Sequence, residues 1–100
     1  MNSNKILIEL YLPISEKKYD IFIPINKRVG TIKQLIEKSL SESGDYKITD
    51  SSNLYSKDTG NIYDVQMLVK DTDLKNASKV VLIWIIQKFI NKRLTIYSRI

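Results

Sequence analysis

The sequence predicts an α+β domain, a mixed sheet carrying one main helix. Three observations predict it. Two consecutive stretches, "KILIELYL" at 5–12 and "YDIFIPI" at 19–25, alternate apolar and polar residues with the two-residue period of a strand. Between residues 31 and 40, "TIKQLIEKSL" switches to helical spacing. Near the end, "KVVLIWII" at 79–86 is β-branched and apolar on both faces, the pattern of a strand central in its sheet.

In the first stretch Ile6, Ile8, Leu10 and Leu12 share one face, and Glu9 and Tyr11 the other. Pro13 stops this strand, and the polar "SEKK" leads back into the second, giving an antiparallel hairpin. There Tyr19, Ile21, Ile23 and Ile25 alternate with Asp20, Phe22 and Pro24. Proline has no N–H for a ladder, so this strand belongs at an edge or finishes at Pro24. Thr31 and Gln34 then stand at capping-box spacing, which predicts a helix beginning at Thr31. Its apolar stripe is Ile32, Leu35, Ile36 and Leu40, with Lys33, Glu37 and Lys38 on the wet side. Each of those aliphatic side chains contributes about 1.5–3 kcal/mol on full burial. Gly44 is the candidate for the left-handed residue after the helix. Beyond it, "YKITD" and "NLYSK" read as short strand pieces, "DTGN" as a turn, and "DVQML" behind Asp64 as a single helical turn.

One hundred residues, 43% apolar and 27% charged, suit a single globular domain. There is no cysteine and no histidine. Disulfides, a thiol nucleophile, thiolate or imidazole metal ligands and the usual general base are thereby excluded. Gly30, Gly44 and Gly60 stand alone, outside any phosphate-cradling or nucleophile-elbow pattern. The pairs Asp71 with Asp73 and Asp45 with Asp50 lie in polar turns where water solvates both members, and "DTDLKN" lacks the closing glutamate of a calcium loop. No catalytic residue, cofactor or metal is expected. Glu9 and Tyr11 interrupt the first apolar run, so no signal peptide is read, and no 18-residue apolar stretch predicts a spanning helix.

The formal charge of +5 is unevenly distributed. Residues 1–83 hold 12 Lys and Arg against 11 Asp and Glu, while residues 84–100 add Lys88, Lys92, Arg93 and Arg99 with no acid. Drawn as a helix, the end of the chain places Ile85, Ile86, Phe89, Ile90, Ile96, Tyr97 and Ile100 on one side and polar residues on the other, with Arg93 breaking the stripe. The chain therefore divides into a domain at 1–84 and a basic amphipathic extension at 85–100. Phe89, Ile90, Lys92, Arg93, Tyr97 and Arg99 are its candidate interaction residues. Such a helix suits its own sheet, a second copy in a homodimer, an anionic membrane surface or a partner's groove. The six tyrosines, Tyr11, Tyr19, Tyr46, Tyr55, Tyr63 and Tyr97, fit either the core rim or an exposed interface.

A hairpin, a helix lying across it, and a last strand returning parallel to the first make up the β-grasp arrangement, which the right-handed crossover rule permits. Within that fold the sequence resembles the YukD-like, or EsaB-like, small ubiquitin-like proteins associated with bacterial type VII secretion. The resemblance spans residues 5–83 and rests on "YDIFIP" at 19–24, "IKQLIEKSL" at 32–40 and "DLKNASKVVLI" at 73–83. Asn76, Ala77 and Ser78 depart from it, standing where a glycine-containing turn is usual. It implies a non-enzymatic protein-interaction module, cytoplasmic or peripheral to the inner face of the membrane. Its role would be accessory or regulatory, with a secretion-system component as partner. The end "TIYSRI" carries no Gly-Gly, so conjugation in the manner of ubiquitin is not expected. The alternative is a nucleic-acid-associated regulator acting through the basic tail. The near-neutral charge of residues 1–83 argues against nucleic acid, because phosphates need cations to hold them. A low-salt gel shift with single-stranded DNA and RNA is expected to show no retarded band. Retardation that disappears on deletion of residues 85–100 would favour the alternative.

Overall fold

A computed structural model describes residues 4–48, 52–87 and 94–96, with 85–87 and 94–96 described by backbone alone. In chain order the elements are β1 (Lys5–Leu12), β2 (Lys17–Pro24), α1 (Val29–Glu42), β3 (Asn53–Ser56), a 3₁₀ turn (Val69–Asp71), β4 (Lys79–Ile83), β5 (Ile85–Gln87) and β6 (Leu94–Ile96). The first four strands form one sheet in the order β2-β1-β4-β3, and β5 and β6 form a second, two-stranded one.

The doubly apolar strand takes the centre. β4 runs parallel to β1 on one side and antiparallel to β3 on the other. Val80 and Leu82 join Ile8, Leu10 and Leu12 in the core beneath the helix. Val81, on the opposite face, is also buried and stands in register with Tyr11 and Tyr55. The hairpin is confirmed, with Lys5 opposite Pro24 and Leu12 opposite Lys17. Its turn, however, is residues 13–16 rather than "SEKK". The N–H groups of Ser15 and Glu16 both donate to the Leu12 carbonyl, and Glu16 takes a φ of 58°, so Lys17 already belongs to the ladder.

The helix is capped three residues earlier than its capping box predicts, and begins at Val29. Arg28 occupies the cap position and makes no side-chain cap. The first free amides find partners elsewhere in the fold: Val29 N–H donates to the Met67 carbonyl (2.8 Å) and Gly30 N–H to the Val65 carbonyl (2.9 Å). With those donors satisfied, the Thr31 cap is not needed. The approach is so close that a Cβ on Gly30 would lie 3.1 Å from the Val65 oxygen. Asp64 does not open a helical turn. Its carboxylate accepts the Gln66 N–H and its carbonyl the Met67 N–H, and the 3₁₀ turn begins only five residues later, at Val69. At its other end α1 stops at Glu42, and Gly44 takes the left-handed φ of 82° expected of it.

Two helical side chains assigned to water are engaged instead. Lys33 Nζ lies 3.1 Å from Glu37 Oε2 and 3.1 Å from the Ser52 carbonyl, and the Ser52 hydroxyl donates to the same Glu37 carboxylate. This clasp ties α1 to the residue before β3. Residues 46–48 form no strand, and the remainder of "YKITD" lies outside the described residues.

Where glycine was expected near residue 77, Ala77 adopts a φ of 74°. Flanking hydrogen bonds impose it: Ala77 N–H donates to the Leu7 carbonyl (2.7 Å), Leu7 N–H to Asn76 Oδ1 (2.8 Å) and Glu9 N–H to the Ser78 carbonyl (2.9 Å).

The long final strand also divides. Trp84 is buried with its ring edge-on to Tyr46 at 5.9 Å, and the chain then leaves the main sheet. In β5 and β6 the backbone is extended, with Ile85 opposite Ile96, Ile86 opposite Thr95 and Gln87 opposite Leu94. The amphipathic helix predicted for 85–100 is therefore not formed at 85–87 or 94–96. Isoleucine and threonine are stiff at χ1 and favour a pleated ribbon over a helix, which accounts for the difference. Phe89, Ile90, Lys92, Arg93, Tyr97 and Arg99 lie outside the described residues.

Ala77→Gly is expected to relieve the left-handed Cβ and raise the unfolding free energy by about 0.5–1 kcal/mol. Glu37→Ala should lower it by about 1–3 kcal/mol, because a mostly buried ammonium loses its counter-charge. Urea denaturation reads both, and unchanged midpoints would contradict the two assignments.

Candidate functional site

A four-stranded sheet has two outer strands, and here they are treated differently. Along β3 the outer side is occupied: Tyr55 bridges Ile62, Ser56 N–H donates to the Asn61 carbonyl and Tyr63 N–H to the Leu54 carbonyl, each at 2.9 Å. Along β2, among the described residues, nothing pairs with the outer side. Its backbone groups face outward, unused by the sheet.

Between that edge and α1 lies a groove of about 430 Å³. Strand alternation turns Tyr19, Ile21 and Ile23 toward the helix, and helical periodicity sets Ile32 and Ile36 against them. Leu35, about 100° around the helix from Ile36, overhangs the flank where the sheet has ended. It is 55% exposed despite belonging to the predicted stripe, and Phe22 on the strand side is 69% exposed. Scattered apolar residues on a surface are ordinary. Two of them lining an apolar groove beside an unpaired strand edge make a surface suited to an added strand, with main-chain bonds along the edge and side chains in the groove.

Polar groups are few. Ser39 and Ser43 line the helix side, and Asp45 is the single charged lining residue. The Tyr19 phenol is held above its ordinary pKa by a hydrogen bond with Tyr46, then by burial, and stays a neutral hydroxyl. The opposite face of the sheet is more self-contained: Lys57 sits 4.8 Å from the centre of the Tyr11 ring, and Lys18 lies 4.0 Å from Glu9. Tyr19, Tyr46 and Tyr63 pack against the core, and Tyr97 is outside the described residues.

All six candidate residues drawn from the extension lie outside the described residues. The groove residues carried weaker signals: Pro24 marking an edge, Phe22 apolar on the polar side of β2, and Leu35 at the margin of the stripe. Among the described residues no three Asp or Glu side chains gather as a metal site, and no helix is long and apolar enough to cross a membrane.

No protein-family profile and no curated protein sequence matches the chain. Solved structures do. The N-terminal ubiquitin-like domain of the 4931431F19Rik protein superposes with a TM-score of 0.69 at 20% identity, over 90% of this chain and 84% of that one. The ubiquitin of Caldiarchaeum subterraneum superposes with a TM-score of 0.65 at 13% identity, over 87% and 98%. This chain has the ubiquitin-like β-grasp fold. The same fold recurs in a chain of the MycP5-free ESX-5 inner membrane complex, with a TM-score of 0.64 at 10% identity over 93% of the present chain. The match takes up 24% of that larger chain.

Replacing Leu35 by Gln is expected to leave stability within about 0.5 kcal/mol of the parent, whereas Ile36→Ala should cost about 2–5 kcal/mol. Equal losses on thermal or urea unfolding would make Leu35 a packing residue and remove it from the site.

Proposed function

We propose that this chain is a non-catalytic ubiquitin-like interaction module that binds a protein partner through the groove between β2 and α1. We propose further that it serves as an accessory or regulatory component of a type VII secretion apparatus. One observation carries the binding role: among the described residues β2 offers an unpaired edge beside an apolar groove, while the opposite edge is covered by residues 61–63. An extended partner segment would gain affinity from the edge and selectivity from the groove. The absence of histidine and cysteine from the sequence supports a role without chemistry.

The secretion context has two supports. Residues 5–83 resemble the YukD-like proteins, and the fold recurs in a chain of the ESX-5 inner membrane complex, a type VII secretion assembly. The partner in this reading is a component of that apparatus. The extension at 85–100 is read as a separate contact element beside the domain at 1–84, in keeping with the separate two-stranded sheet of β5 and β6.

The test is genetic and biochemical. Deletion of the gene is expected to depress secretion of the apparatus's substrates, with rescue by the parent chain and not by Leu35→Gln. Normal secretion in the deletion strain would overturn the secretion role. Co-purification with apparatus components that is indifferent to Leu35→Gln would overturn the groove.

A further inference from the structure

The groove is apolar along its length and negative at one end. Asp45, its one charged lining residue, follows Gly44 just past the C-terminus of α1. No basic residue occupies the last turn of that helix, where Glu42 lies. Neither carboxylate has an ion pair among the described residues. The terminal carbonyls of a helix add a partial negative charge, equivalent to about half an electron. Lys17 and Lys18 open β2 at the same end, but neither lines the groove, and Lys18 reaches toward Glu9. Toward the other end the lining is Pro24 and Ile32.

We infer that the occupant is an extended segment of a partner protein with aliphatic side chains at alternating positions and a lysine or arginine pair at the end lying over the C-terminus of α1. This rests on the groove being the recognition surface. Alternation follows from the two-residue period of a strand added to β2, which turns every second side chain into the groove. The basic end follows from charge: a carboxylate there would meet Asp45 in the lining and the negative end of the α1 dipole, with Glu42 close by in the last turn, whereas an ammonium is attracted by them. These groups are exposed, so the preference is moderate and sensitive to salt.

The experiment uses the full chain and three labelled ten-residue peptides of alternating Ile or Val with Thr or Ser, ending in paired Lys, paired Gln or paired Glu. Fluorescence anisotropy at low ionic strength is expected to rank them Lys, Gln, Glu, with Lys over Glu by about five- to ten-fold. The difference should shrink at high salt and vanish when Asp45→Asn and Glu42→Gln are combined, with the Gln-ended peptide unaffected. This order runs against the chain's net charge of +5, so non-specific attraction would give the reverse. Equal affinities that all weaken on Leu35→Gln would sink the charge inference and leave the groove standing. Binding of none, or binding indifferent to Leu35→Gln, would overturn both. A chain that is dimeric by light scattering and refuses all three peptides would assign the groove to a second copy, and the inference would fall.

Discussion

Strand β4 is apolar on both faces, and a strand of that kind is stable only between two neighbours and under cover on both sides. Much of the remaining architecture follows from this requirement. β1 lies against it in parallel, which demands a crossover, and α1 lies within that crossover. The hairpin partner β2 is displaced to one margin and β3 takes the other. The groove exists because the sheet ends at β2 while α1 continues past that end. Leu35 is left uncovered for the same reason: among the described residues no strand lies beyond β2 to pack under it.

The orientation of α1 is set by contacts remote in sequence. Backbone from 25–30 and 65–70 is laced together, with Val69 N–H on the Lys27 carbonyl and Lys70 N–H on the Ile25 carbonyl continuing the bonds that start the helix. Near the middle of α1, the Lys33, Glu37 and Ser52 clasp holds the side turned away from the groove. A helix fixed at its start and along its rear keeps the groove side in place, so a partner need not order it on binding.

Period-two alternation made the hairpin legible, because Ile6, Ile8, Leu10 and Leu12 can share a face only as a strand. Doubly apolar β4 likewise declared its central place. Local signals failed where tertiary contacts competed with them. Thr31 and Gln34 have the right spacing for a cap, yet carbonyls at 65 and 67 reach the first amides and move the start to Val29. A helical wheel shows only one buried side, so it sent Lys33 and Glu37 to water without knowledge of the chain crossing at Ser52. At 85–86 a pair of isoleucines fits the margin of a helical stripe and a ribbon equally well on hydrophobicity, and β-branching decides for the ribbon. The groove was the least legible feature, since Leu35 looks identical to a core residue until the sheet's width is known.

The covered flank of β3 has a consequence for assembly. A sheet open on both sides can be extended indefinitely, each added chain exposing a fresh template for the next. With residues 61–63 laid along β3, the four-stranded sheet has, among the described residues, a valency of one. A strand taken up at β2 completes it, and two copies meeting there would close into a pair with no growing end on either sheet. Recognition through an exposed backbone is thus separated from the hazard of filament growth.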